Sequence, residues 1–169
     1  FIGNVIIEDE KIIKITKDPV NDFQGTIIDC TNQVIAPGFI DAHSHNDWSV
    51  FKDDRVDFAI PLVGQGITTV VTGNCGFSAT GYDPKGKYVD TIGSDSFALD
   101  SKHAIPDFKK WIEYLDHHTP LNVATYIGHG SVRSSINGLT KKEMTKEDYQ
   151  KMLDLLEYAL QNGAVGISV

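Results

Sequence analysis

The stretch Pro37-Gly-Phe-Ile-Asp-Ala-His-Ser-His45 decides how the rest of the chain is read. It enters through a Pro-Gly bend, runs on apolar residues and ends in two histidines one residue apart. Side chains of a strand alternate between faces, so His43 and His45 project to the same side. Two imidazoles on one face at a strand end supply half of a metal site. The competing reading is a pair of hydrogen-bonded surface histidines, but a chance pair seldom falls at the end of a core strand. Asp41 has the same parity and is a candidate acceptor for an imidazole N–H. Hydrogen bonding to nearby backbone groups is its alternative role.

Upstream of this stretch, Val5–Ile7 and Ile12–Ile15 flank a charged turn and read as a hairpin. Thr26-Ile27-Ile28 reads as a further short strand, after a gap punctuated by Pro19, Asn21, Asp22 and Gly25. Residues 1–35 therefore form a small β unit. Downstream, Val34 to His45 is strand-like as a whole. Residues 54–63 carry Val56, Ala59, Ile60 and Val63 at helical spacing, with Pro61 placed to kink or end the helix. Gly66-Ile-Thr-Thr-Val-Val71 is a β-branched buried strand. Phe108, Trp111, Ile112 and Leu115 mark a helix face, and Leu121 to Ile127 is a strand ending at Gly128-His129-Gly130. Thr145 is a helix N-cap with Asp148 three residues on. Met152, Leu155, Leu156, Ala159 and Leu160 form the apolar stripe of that helix, and Gly163 is its left-handed cap. Ala164 to Val169 begins another buried strand.

Strands alternating with helices imply a parallel sheet with right-handed connections. Four such strands are half of a (β/α)8 barrel, which needs about 250 residues. A smaller doubly wound sheet is the alternative, though no Gly-x-Gly-x-x-Gly follows the first strand. Either way the chemistry belongs at the carboxyl ends of the strands. His43 and His45 end the first, Asn74-Cys75-Gly76 follows the second, and His129 and Arg133 follow the third.

Cys75 is either a small buried hydrophobe or a thiolate ligand, and a thiolate would favour zinc over magnesium or calcium. His129, between two glycines, is a candidate substrate contact or a satisfied structural histidine. Arg133 could clamp a substrate carboxylate or form a surface salt bridge. His103, His117 and His118 carry no assignment. The stretch from Gly76 to His103 is long for a connection, which suggests a cover over the site or a disordered segment.

The 169 residues hold 41% hydrophobic and 22% charged side chains, enough for a soluble domain with a core. Fifteen Lys+Arg against 23 Asp+Glu give a net charge of -8, which argues against a nucleic-acid surface. No apolar run reaches the length of a membrane span. Cys30 and Cys75 make no disulfide framework, and a reducing cytoplasm is the expected compartment.

Taken together, these segments resemble the amidohydrolase superfamily and, within it, the D-aminoacylase (N-acyl-D-amino-acid deacylase) family. The resemblance rests on Val34–His45, His43-Ser-His-Asn-Asp47, Gly66-Ile-Thr-Thr-Val-Val-Thr-Gly-Asn-Cys-Gly76, Asn122–Arg133 and Asn162–Ser168, in the correct order along the chain. It implies a TIM-type (β/α)8 barrel of which residues 36–169 form the first half. Residues 1–35 would be part of a small β-sandwich. It implies zinc, one ion or two, held by His43, His45 and Cys75, and hydrolysis of the amide of N-acyl-D-amino acids. Asp41 and Asp47 are candidates to support the ligands. Two further histidine ligands and the general-base aspartate would lie beyond Val169. The chain is thus expected to be an amino-terminal piece, inactive alone, and homo-oligomer formation stays open. Another zinc hydrolase of the superfamily, a cyclic amidase or deaminase, is the rival, as is a half-barrel without catalysis.

Overall fold

The structure is a computed structural model that describes residues 1–50, 55–92, 97, 103–116 and 118–169. His117 and part of the segment expected to cover the site lie outside the described residues. The chain divides into two compact units, Phe1–Ala36 and Pro37–Val169.

In the first unit, β1 (Asn4–Glu8) and β2 (Lys11–Thr16) pair antiparallel from Asn4↔Thr16 to Glu8↔Lys11, with an irregularity between Ile6 and Ile7. Asp9 turns the chain at φ 52°. The expected strand at Thr26–Ile28 does not form, and Ile27 and Ile28 stand exposed. A strand needs a neighbour to satisfy its ladder, and β-branched composition supplies none.

The second unit is built on parallel strands. β3 (Phe39–Asp41), β4 (Ile67–Thr72) and β5 (Asn122–Thr125) lie in that order. β6 (Ile127–Gly128) and β7 (Ile167–Ser168) pair parallel beside them. The two sheets are continuous in hydrogen bonding. Tyr126 N–H donates to Thr72 O at 3.0 Å, and Val165 N–H to Thr125 O at 3.0 Å. Each strand therefore adds beside its predecessor in chain order, without the reversal that defines a doubly wound sheet. β3 is shorter than the strand expected from Val34 to His45, yet its ladder persists: Ser44 N–H reaches Val71 O at 3.0 Å.

Among the described residues, four α-helices cover these strands. α1 (Arg55–Gly64) runs through Pro61, where a kink or stop was expected, and ends at Gly64. Gln65 Nε2 then donates to the Pro61 carbonyl at 2.9 Å, and Gly66 turns out of the helix at φ +82°. α2 (Phe108–Leu115) is capped by the Asp107 carboxylate on Lys110 N–H at 2.9 Å, and buries Phe108, Trp111 and Leu115. Burying such side chains contributes about 1.5–3 kcal/mol each, so this face docks α2 on the sheet. Beneath it, Trp111 Nε1–H meets Thr125 Oγ1 at 3.4 Å, and Thr125 meets Thr72 Oγ1 at 3.1 Å. α4 (Lys146–Gln161) starts at Thr145, whose hydroxyl accepts Asp148 N–H at 3.1 Å. It ends where Gly163, at φ +104°, lets Ala164 N–H reach Ala159 O at 3.0 Å.

The remaining helix, α3 (His129–Asn137), has no counterpart in the sequence reading. Its buried face is Ser131, Val132, Ser134 and Ser135, too small and polar to register as an apolar stripe. The long excursion between β4 and α2 is closed at its base. Gly81 N–H donates to Pro106 O at 2.8 Å, and Thr80 Oγ1 to Ile105 O at 2.7 Å.

Candidate metal centre

β3 delivers His43 and His45 to the carboxyl edge of the sheet on one side of the chain, with ring centroids 5.7 Å apart. Beyond β4 the chain doubles back sharply. Phe77 N–H closes a turn on Asn74 O at 3.0 Å, with Cys75 and Gly76 at its centre. Both central residues have positive φ, 55° and 74°, the geometry of the tightest hairpin-type turn. Glycine adopts this backbone freely and cysteine does so at a cost. The turn carries the Cys75 sulfur to 3.3 Å from His43 Nε2.

One donor atom from each of His43, His45 and Cys75 lies within 4.8 Å of the other two, the sole such group of three among the described residues. Zinc–nitrogen and zinc–sulfur bonds of about 2.0 and 2.3 Å place tetrahedral ligands roughly 3.3–3.6 Å apart. The Cys75 Sγ to His43 Nε2 distance of 3.3 Å already falls at that spacing. Two imidazoles and one thiol match the borderline-soft preference of zinc. Among the described residues His45 Nδ1 is buried without a hydrogen-bond partner, an orphaned polar atom in keeping with a ring that serves a ligand outside the protein. Burial, and then the charge of neighbouring His43, hold the His45 pKa below its ordinary value. The neutral ring, the form that ligates, therefore predominates at neutral pH. Phe97 stacks on His45 at 4.4 Å and on Trp48 at 5.5 Å, fixing the ring plane.

The other residues singled out from the sequence lie around this centre in different ways. Asp41 Oδ1 accepts the His43 backbone N–H at 3.2 Å and so braces the main chain at the histidine rather than an imidazole. Asp47 is fully buried, and its Oδ2 accepts Ala79 N–H at 2.9 Å. Burial pushes its carboxyl up to about 7. It ties the segment after the histidines to the segment after Cys75. His129 is the first residue of α3, half-buried and outside the cluster. The Arg133 guanidinium turns to the far end of α3, where it donates to Gly138 O at 3.4 Å and Thr140 O at 2.9 Å.

Small polar residues that the sequence reading passed over hold the thiol turn. Ser78 Oγ accepts Gly128 N–H at 2.9 Å and donates to Thr80 O at 2.8 Å. Ser131 Oγ donates to Ser78 O and accepts Ser78 N–H, both at 2.9 Å. Ser168 Oγ accepts Gly76 N–H at 3.1 Å and donates to Gly73 O. Gly128 and Gly130 allow the close approach, since a Cβ on either would sit 2.6 or 2.7 Å from Gly76 O. The only local signal for this network is serine and glycine recurring just after strands.

A family model described as "Amidohydrolase family" matches residues 26–169. The chain belongs to the amidohydrolase family. Within it the likeness is to the D-aminoacylases. A D-aminoacylase of Alcaligenes xylosoxydans xylosoxydans is 35% identical over 147 residues, 85% of this chain and 28% of that protein. An N-acyl-D-aspartate deacylase of the same organism is 35% identical over 144 residues, 84% of this chain and 28% of that protein. Among solved structures, the N-acyl-D-glutamate deacylase of Bordetella bronchiseptica, complexed with zinc and a phosphonate inhibitor, superposes with a TM-score of 0.60 at 34% identity. That match covers 78% of this chain and 26% of the other. The chain thus spans just over a quarter of the length of the curated relatives it matches. Among the described residues, no helix is long and apolar enough to cross a membrane.

Proposed function

We propose that this chain supplies the zinc-binding face of an N-acyl-D-amino-acid deacylase, with His43, His45 and Cys75 as metal ligands. The convergence of those three donors at the carboxyl edge of a parallel sheet carries the reading. The strand order supports a (β/α)8 barrel to which residues 36–169 contribute the first sector, with residues 1–35 part of a β-sandwich. Relatives named for N-acyl-D-amino acids support the substrate class.

Bound zinc would polarise the scissile carbonyl and bring the pKa of coordinated water to about 7. The chain's own residues hold that site. His45 presents a neutral ring, locked by Phe97. Cys75 contributes a thiolate from a turn pinned by three serines. Asp41 and Asp47 fix the main chain on either side of the histidines. His129, the first residue of α3, would meet an anionic group of substrate, which the positive end of the helix dipole favours. Both cysteines are free, in keeping with a reducing cytoplasm.

The test is hydrolysis by the full-length protein of N-acetyl-D-amino acids, their L-isomers and cyclic ureides, with zinc content measured alongside. Activity on the D-substrates that is lost with zinc in Cys75→Ala is the expected outcome. Turnover of ureides alone would move the chain to another branch of the family.

A further inference from the structure

The parallel ladder between β3 and β4 runs out just where the histidines begin, and a side chain continues it. Ser44 N–H donates to Val71 O at 3.0 Å, the last backbone rung. One rung further the chain after β4 has already left the sheet plane at Gly73, where φ is +72°. The amide of Asn74 takes the place of the missing backbone N–H. Its Nδ2 donates to Ser44 O at 3.2 Å and to Val71 O at 2.9 Å. Ser44 is the residue between His43 and His45, and Asn74 immediately precedes Cys75. Asn74 O meanwhile closes the turn that holds Cys75, accepting Phe77 N–H at 3.0 Å. One nearly buried residue, 8% exposed, thus bonds the histidine segment through its side chain and the thiol turn through its main chain.

We propose that Asn74 is a positioning residue that sets the distance between the imidazole pair and the thiol, and so fixes the metal-binding geometry before metal arrives. The inference rests on the zinc-site reading above. Asn74 touches no ligand side chain. It acts through the Ser44 carbonyl by one amide bond, while the other returns to Val71 O on its own strand and orients the amide. Losing them leaves the Ser44 N–H to Val71 O bond as the last tie before the histidine segment and the thiol turn diverge, and removes no ligand.

The experiment uses the full-length protein loaded with cobalt(II), whose bond to a thiolate gives a sulfur-to-metal charge-transfer absorption. Wild type is expected to show that band, and Cys75→Ala to lose it. Asn74→Ala should bind cobalt at least about tenfold more weakly, as supporting residues of metal sites do. At saturation it should show a weakened band, because histidines still bind while the thiol stands off. Asn74→Leu keeps much of the shape and removes the donors without adding charge, and serves where the alanine variant does not fold. A merely structural role would lower the melting temperature of the metal-free protein and leave affinity and band intensity per bound cobalt unchanged. That result in either folded variant overturns the inference while leaving the metal site intact. Absence of the band in wild type overturns the zinc-site reading, and the inference with it.

Discussion

Replacing Cys75 separates the cost of its backbone from the value of its sulfur. A non-glycine residue in the left-handed region costs about 1–2 kcal/mol, and Cys75 sits there at φ 55°. Its side chain is exposed, so truncation forfeits little burial. In metal-free protein, Cys75→Ala should therefore stay within about 0.5 kcal/mol of wild type. Cys75→Gly escapes the left-handed penalty but loses roughly 0.5–1 kcal/mol to the greater freedom of the unfolded chain. The glycine variant should come out about 0.5–1 kcal/mol above the alanine variant. Zinc reverses the order. At 100 times its Kd it should stabilise wild type by about 2.7 kcal/mol, and both variants much less. Urea unfolding of the full-length protein, with chelator and with zinc, measures all six values. Equal stabilisation of wild type and variants by zinc would refute the ligand assignment. An alanine variant more stable than the glycine variant would refute the claim that the backbone is strained for the sake of the thiol.

Other perturbations probe the surroundings of the centre. Ser78→Ala strips the buried Gly128 N–H of its acceptor and should cost about 1–3 kcal/mol in urea unfolding, whereas a loss under about 0.5 kcal/mol would show the amide finds another partner. Gly73→Ala would place a Cβ 2.1 Å from the Tyr126 carbonyl oxygen at a positive φ, so the strand end must shift. A fall of about 2–4 kcal/mol is expected, and an unchanged melting temperature would contradict the close approach. Burial pushes the Tyr82 phenol up to about 12. The fold favours its protonated form, so this contribution is intact below pH 10 and drains away as pH rises through 12. Tyr82→Phe should flatten the alkaline decline, and a parallel pH profile for variant and wild type would argue against it.

The parts of this molecule visible in its sequence are those whose cause is local. His43 and His45 share a face through strand parity alone, and α4 announces itself through Thr145, its apolar stripe and Gly163. Cys75 was ambiguous from pattern, because what brings its sulfur to His43 is a turn held by Ser131 and Ser168, far along the chain. α3 was hidden because it packs through serines, which carry no hydropathy signal. Thr26–Ile28 misled in the opposite sense, with strand composition and no strand beside it. Asp47 was named only through family resemblance; its bond to Ala79 is a long-range fact. The guanidinium of Arg133 found its partners in the loop after its own helix, a choice set by tertiary geometry.

The bonds from Gly81 to Pro106 and from Thr80 to Ile105 close the excursion after β4 at its base, while Phe97 within it stacks on His45. The two ends of the excursion meet on their own, and the serine braces lie outside it. Because closing a longer loop adds only slowly to the entropic cost, a change of length that spares Tyr82, Ile92 and Phe97, which pack with Trp48 and Trp111, should leave the thiol turn seated. The His45 ring, by contrast, leans on the excursion through Phe97, so the imidazole and the thiol answer to different parts of the chain.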